Sequence, residues 1–377
     1  MIGQIKENLL LNLKNSFGPK TNRKIIVFSV DDYGNVRLDS AKARANMNQS
    51  GMKIYSRFDQ LDTLETRKDL EELFRVLSSV KDKNGKNAVF TPFALPCNID
   101  FERMAENNYQ EYHYELLPVT YGKLTNLQPE AYSGTWDLWQ HGIAKGWMMP
   151  QFHGREHLNL HVFNDKLAKK DAELLTALKN RSFTSISDEG YPGMSSMAAF
   201  DFWDPNENNS LIPVIKDGLQ KFEAVYGYKS NHFTPPVYSI HHSLFSTLKE
   251  NGIDYIDLGL IRKEHQGFNK YKTEMNYTGK RTKEGLDIMV RNVVFEPTEN
   301  RGINWVTFAM KQIEAAFRWN KPAIISSHRV NFCGHIDVKN RENGLLALEN
   351  LLKEIVKKWP DAEFMSADQA GEILSKQ

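Results

Sequence analysis

Three histidines recur at intervals of four residues in the stretch 149-MPQFHGREHLNLH-161, which contains His153, His157 and His161. Two histidines four residues apart share one side of a helical turn and can bind the same metal ion. The stretch begins within an apolar run, 147-WMMPQF-152, which has the length and composition of a buried strand. The spacing therefore indicates a metal site at a strand end, and leaves open which two histidines bind.

Two other apolar runs also end in ionisable residues. The run 25-IIVFSV-30 is followed by Asp31 and Asp32, and the run 322-PAIISS-327 is followed by His328. Taken alone, a pair of aspartates often caps a turn, and a lone histidine is often a hydrogen-bonded structural residue. Three strands that all end in such residues are harder to attribute to chance, so their shared position favours a functional role.

These residue types suit metal-assisted hydrolysis. Successive side chains of a strand point in different directions, so one of two adjacent carboxylates can bind a metal while the other stays free as a base. One carboxylate and two histidines form a three-ligand set with open positions; zinc suits it, and cobalt, manganese, iron or nickel are alternatives. A bound ion would activate water and polarise a carbonyl. His328, arriving from another strand, could protonate a leaving group.

The elements that position these residues alternate along the chain. Strands are predicted over residues 25–30, 88–93, 147–152, 230–235, 253–259, 286–297 and 322–327, with one more from 362. Helices are predicted over residues 40–48, 67–85, 135–145, 165–180, 211–226, 241–251, 302–319 and 340–358, with a last one near the C-terminus. Such alternation implies parallel strands joined by crossover helices. Seven or eight units favour an α/β barrel over an open sheet.

The domain organisation follows from length and pattern together. A chain of 377 residues suggests two domains at about 150 residues each, but α/β barrels with insertions exceed that size as one unit. The sequence has no internal repeat and no low-complexity linker. We therefore predict a single domain over residues 1–377, with insertions at about 98–145 and 183–210. Active sites of barrels form at the C-terminal strand ends, where the three motifs lie.

Composition excludes several classes of function. Lysine and arginine (48) almost equal aspartate and glutamate (47), so no global charge favours nucleic acid or a membrane surface. No run approaches the ~20 apolar residues of a membrane span. The two cysteines, Cys97 and Cys333, cannot form a disulfide framework or a thiolate-rich zinc site, and we predict buried free thiols.

The N-terminal segment predicts the location of the protein. Residues 1–24 are polar and lack the apolar core and cleavage site of a secretory signal. They fit a short amphipathic helix with Ile5, Leu9, Leu10 and Leu13 on one face. We therefore expect a cytoplasmic protein.

The order of the three motifs resembles that of the polysaccharide deacetylase superfamily (carbohydrate esterase family 4, the NodB-homology fold). The resemblance implies a distorted (β/α) barrel of seven or eight strands. The stretch SVDDYG resembles the first family motif and implies Asp31 as general base and Asp32 as metal ligand. The HGREH stretch resembles the second and implies His153 and His157 as ligands. The late strand-end histidine implies His328 as the general acid for the leaving amine.

The resemblance also implies a function. In this family metal-activated water removes the N-acetyl group of an amino sugar, so the expected partner is an acetylated amino sugar in a glycan or a glycan precursor. Two alternatives stay open, namely a metal-dependent amidase of a non-sugar substrate on the same fold and a non-catalytic glycan-binding relative. The sequence does not determine the exact substrate, the native metal or the oligomeric state.

The chain departs from the family pattern at two positions, and the fourth family motif has no clear match. Gly154 stands where the second motif has Ser or Thr. Thr234 stands where the third motif has the arginine that orients the base. Another group, with Arg155 and Arg329 as the candidates, is expected to replace that arginine, unless the base is tuned differently. His161 continues the histidine series but is expected to have a structural or supporting role.

Overall fold

The computed structural model describes residues 11–376. Its strands are β1 (Lys24–Tyr33), β2 (Phe90–Ala94), β3 (Cys97–Ile99), β4 (Tyr114–Leu116), β5 (Gln151–Phe152), β6 (His232–Phe233), β7 (Tyr255–Asp257), β8 (Ile261–His265), β9 (Tyr271–Met275), β10 (Asp287–Met289), β11 (Val293–Val294), β12 (Ala323–His328) and β13 (Ala362–Met365).

The helices surround these strands. In chain order they are α1 (Ala41–Gln49), α2 (Arg57–Leu61), α3 (Arg67–Leu77), α4 (Phe101–Glu106), α5 (Leu117–Leu127), α6 (Pro129–Tyr132), α7 (Thr135–Ala144), α8 (Leu160–Ala168), α9 (Ala172–Lys179), α10 (Asn208–Tyr226), α11 (Phe245–Glu250), α12 (Trp305–Arg318), α13 (Val338–Lys358) and α14 (Ala367–Leu374).

Nine strands form one parallel sheet. Its order is β10-β7-β6-β5-β2-β1-β12-β11, and β13 also pairs with β1. The two edge strands, β10 and β11, are separated in the chain only by residues 290–292. Because three residues span a short distance, the two edges of the sheet lie close together, and the sheet curls back on itself. The predicted α/β class and distorted (β/α) barrel are thereby confirmed.

The apolar sequence of the central strand β1 agrees with its burial. All but the first residue of β1 are buried, as a run of β-branched and aromatic side chains predicts for a strand covered on both faces. Helix α3 packs an apolar face that includes Leu70, Leu73 and Phe74, and Thr66 caps its start.

One predicted helix is divided in two. The sequence predicts a single helix over residues 165–180, but α8 ends at Ala168 and α9 begins at Ala172. Lys170 has a positive φ of 53°, which breaks the helix. The side chain of Asp171 then caps α9 by accepting a hydrogen bond from the Leu174 amide. The break and the new N-cap therefore divide the helix, although the apolar pattern continues across both halves.

The irregular regions differ in kind. Residues 98–145 contain the antiparallel pair β3–β4 and four helices, whereas residues 181–204 contain no helix or strand. A second antiparallel hairpin, β8–β9 within residues 261–275, was not predicted from the sequence.

Three further sequence predictions meet different outcomes. Cys97 and Cys333 are buried free cysteines, as expected. Among residues 11–376, no helix combines the length and apolar character needed to cross a bilayer. The predicted N-terminal helix lies mostly in residues 1–10, outside the described residues, and the cytoplasmic location remains a prediction.

Candidate metal and acid–base site

The three motifs meet at one edge of the barrel. Strands β1 and β12 pair in parallel, and their register places Asp31 opposite His328. Strand β5 pairs with β2, the other neighbour of β1, and its last residue precedes His153. Parallel pairing therefore brings residues from distant parts of the sequence to the same strand ends.

The predicted metal ligands converge on each other. The Asp32 Oδ1 atom lies 3.5 Å from His153 Nε2 and 3.3 Å from His157 Nε2. All three residues are buried, and one ligand atom from each lies within 4.8 Å of the others. One carboxylate oxygen and two imidazole nitrogens thus surround a common point, as three ligands of one ion must.

The hydrogen bonding of His153 and the burial of His157 both favour binding of a cation. The His153 Nδ1 atom lies 2.7 Å from the carbonyl oxygen of Thr234, so its N–H donates there and its Nε2 is left without a proton. That Nε2 is buried and has no hydrogen-bond partner among the described residues. Burial also lowers the pKa of His157 to about 3, which keeps its ring neutral. These observations fit the predicted metal.

A bulge at the end of β1 separates the two aspartates. The register between β1 and β2 shifts between Val30 and Tyr33, and Asp32 has a left-handed φ of 74°. Simple strand alternation was expected, but the extra residue of the bulge re-aims the side chains. Asp32 faces the histidines, whereas Asp31 faces an arginine described next.

Arg291 holds the Asp31 carboxylate. Its Nη1 and Nη2 atoms each lie 2.7 Å from one Asp31 oxygen, and both residues are buried. The same guanidinium donates to Asp257 at 2.8 Å and to the Thr234 hydroxyl at 2.8 Å. Thr234 in turn donates to Asp257 at 2.7 Å. The arginine missing at position 234 is thus replaced from residues 290–292, between β10 and β11.

The two arginines expected in this role lie elsewhere. Arg155 donates to Glu156 and to Asp217. Arg329 is fully buried and donates to Asp62 and Glu65. Neither bonds Asp31, so that prediction was wrong.

His328 is oriented by a carboxylate that the sequence analysis missed. Its Nδ1 lies 2.7 Å from Glu296 Oε1, and its Nε2 lies 3.9 Å from Asp31 Oδ2. Burial alone would lower the pKa of His328, but the charge and hydrogen bond of Glu296, together with the charges of Asp32 and Asp31, outweigh burial and raise that pKa to about 9. Asn331 donates to Glu296 at 2.7 Å, and Arg57 also forms an ion pair with it. The ring is therefore held protonated.

Two remaining positions are explained by backbone and neighbours. Gly154 has a φ of 109°, a conformation that a side chain disfavours, which accounts for glycine where the related motif has Ser or Thr. The Nε2 atom of His161 lies 3.1 Å from the Ser210 hydroxyl, outside the ligand cluster. Its expected structural role agrees with this contact.

No family model and no curated protein sequence matches this chain. Solved structures do resemble it. A 4-α-glucanotransferase from Thermococcus litoralis is 9% identical with a TM-score of 0.45, over 92% of this chain and 40% of that chain. This chain thus spans less than half of that protein.

Two other solved structures are matched over nearly their whole length. A probable polysaccharide deacetylase from Pseudomonas aeruginosa PAO1 is 9% identical with a TM-score of 0.47, over 94% of this chain and 92% of that chain. The allantoinase PuuE is 11% identical with a TM-score of 0.46, over 96% and 95%. At identities of 9–11% and TM-scores below 0.5, these structures assign neither a family nor a function to this chain.

Proposed function

We propose that this chain is a metal-dependent hydrolase that removes an N-acetyl group from an amino sugar in a glycan or glycan precursor. The observation that carries the proposal is the unpartnered, buried His153 Nε2, which lies beside Asp32 and His157 and next to a separate acid–base pair. Asp32, His153 and His157 would hold a divalent cation, with zinc as the first candidate from ligand type. When bound, such a cation lowers the pKa of water and polarises a carbonyl.

Asp31 serves as the general base in this proposal. The paired contacts from Arg291 fix the orientation of both carboxylate oxygens. An ionised carboxylate can accept the proton of an attacking water. Arg291 does not itself take part in proton transfer, because an arginine stays protonated in proteins.

His328 serves as the general acid. Glu296 accepts from Nδ1 and keeps the ring charged, so the Nε2–H, on the side of Asp31, is available for donation. Protonation of the leaving nitrogen by this group would complete cleavage of the amide bond. Base and acid thus have opposite charges and separate partners, which suits the two directions of proton transfer.

A panel of substrates tests this function. The purified, zinc-loaded protein is incubated with N-acetylated amino-sugar oligomers and, in parallel, with cyclic amides. We expect acetate from the sugars and no ring opening of the amides. Ring opening without acetate would instead identify an amidase of non-sugar substrates. Sugar binding without any hydrolysis would identify a non-catalytic relative.

A further inference from the structure

A cleft of about 600 Å³ lies beside the candidate catalytic site and takes no part in the chemistry described above. Its walls come from residues 53–59, from residues 166–173 and from the irregular segment 185–197, together with Arg37. The Arg37 guanidinium lies 4.9 Å from the centroid of the Phe58 ring, and that ring packs edge-on against His328 at 5.3 Å. One aromatic ring therefore separates the cleft from the proposed general acid. The volume suits a small-molecule or sugar-unit site.

The lining of the cleft carries a net negative charge. Five carboxylates and three cations line it. Lys166 and Asp171 form an ion pair at 3.1 Å, and the charges of Arg37 and Asp59 attract each other. The remaining charged residues of the lining are Glu173, Asp188, Glu189 and Lys53. An anionic group would be repelled by such a lining, and a cationic group attracted.

Two of the remaining carboxylates of the lining form hydrogen bonds with the irregular segment. Glu173 accepts a hydrogen bond from the Ser187 amide at 2.8 Å, and Asp188 accepts one from the Ser196 amide at 2.7 Å. These contacts hold the irregular segment against the wall of the cleft. Ionised carboxylates accept strong hydrogen bonds from hydroxyl and ammonium groups.

An exposed aromatic ring completes the wall. Tyr55 lines the cleft, and 76% of its surface is exposed. A tyrosine ring offers a flat apolar face with a polar tip, which suits one face of a sugar ring. The aromatic face and the carboxylates together match a sugar that carries a positive charge.

We propose that this cleft binds a sugar unit bearing a free amine, next to the acetylated unit at the metal site. The proposal rests on the function proposed above, since it places the neighbouring part of the same glycan. It implies that partly deacetylated chains are better substrates than fully acetylated ones. It also excludes substrates with a phosphate or carboxylate at this position.

Binding tests the cleft separately from catalysis. The zinc-loaded Asp31→Asn protein is titrated calorimetrically with a partly deacetylated N-acetylglucosamine tetramer, the amine form, and with the fully acetylated tetramer. We expect the amine form to bind about fivefold more tightly at low salt, and the preference to shrink at about 0.5 M NaCl, because salt screens exposed charges. Equal affinities, or tighter binding of the acetylated tetramer, would overturn the proposal.

Variants that remove charge show which residues cause the preference for the amine form. Glu173→Gln combined with Glu189→Gln keeps the hydrogen-bond acceptors and should abolish the preference, whereas Glu250→Gln, an exposed residue of α11, should leave it unchanged. Tyr55→Ala should weaken both tetramers. A preference that survives the double variant would place amine recognition elsewhere and refute the assignment. If wild-type protein binds the amine form with this pattern but releases no acetate, the cleft stands and the hydrolase function fails.

Discussion

At the scale of single residues, the site depends on charged partners that come from unrelated parts of the chain. Arg291 binds both oxygens of Asp31 across 260 positions of sequence, and Glu296 binds His328 across 32. Each partner orients the group that it contacts: Arg291 orients the proposed base, and Glu296 orients the proposed acid. Neither partner itself needs to contact the substrate, so both are positioning residues.

Replacing Arg291 tests the first of these pairs. Arg291→Met leaves Asp31 and Asp257 buried without their cation, so we expect unfolding to become easier by about 3–5 kcal/mol. We expect kcat to fall about 100-fold with little change in KM, because the base loses its orientation. Denaturant unfolding and steady-state kinetics measure both effects.

A pair of the same kind whose arginine is exposed provides the control. Arg281 forms a two-contact pair with Asp287, but its side chain is 64% exposed. Arg281→Met should change stability by less than about 1 kcal/mol and leave kcat unaltered. Equal losses in the two variants would contradict the special role of Arg291.

Replacing Glu296 tests the second pair through its pH dependence. The pKa of His328 is raised to about 9, so its acid form is present below that pH and is lost above it. Glu296→Gln removes the raising charge, and we expect the alkaline limb of kcat to move about one pH unit lower. Glu299→Gln, three residues away, should leave the profile unchanged. An unmoved alkaline limb in Glu296→Gln would exclude His328 as the acid held by this carboxylate.

At the scale of elements, two backbone irregularities direct the ligands. The bulge in β1 turns Asp32 towards the histidines, and the turn after β5 places His153 and His157 on one side. Both irregularities use positive φ values, 74° at Asp32 and 109° at Gly154. Positive φ at the strand ends therefore shapes the metal site.

Gly154 provides the test at this scale. Gly154→Ala forces a side chain into a left-handed backbone position, and we expect a loss of about 1–3 kcal/mol in stability. Metal affinity should fall as well, because the strain is relieved by moving the adjacent His153. Gly122→Ala in α5 is the matched control, since Gly122 has no positive φ and open space around it; it should be neutral or stabilising. Full metal affinity in Gly154→Ala would argue against the role of this turn.

At the scale of the whole molecule, the barrel could be predicted from the sequence and the closing contacts could not. Apolar runs such as residues 25–30 marked the strands, and the polar residues after them marked the functional edge. The sequence analysis did not identify Arg291, because it predicted one continuous strand over residues 286–297. The structure has two short strands there, and Arg291 lies between them. Glu296 carried no local signal, since its partner is defined only by parallel pairing of β11 and β12.

The metal links the site to the stability of the whole fold. A cation that binds only the folded chain stabilises it by about 2.7 kcal/mol at 100 times its dissociation constant. We therefore expect zinc to raise the melting temperature by about 3 °C over the chelator-treated protein. His153→Ala should lose this response, whereas His161→Ala, which contacts Ser210 instead of the cluster, should keep it. An equal zinc response in both variants would contradict the ligand assignment.

Acetate release by zinc-loaded wild-type and zinc-loaded Asp31→Asn proteins, at equal metal content, tests the central claim most directly. The substrate is an N-acetylated amino-sugar oligomer. Wild-type protein is expected to release acetate, and Asp31→Asn is expected to bind zinc equally well yet release acetate at least about 100-fold more slowly. Equal rates in the two proteins, or no acetate from either, would contradict a metal-dependent deacetylase that uses Asp31 as its base.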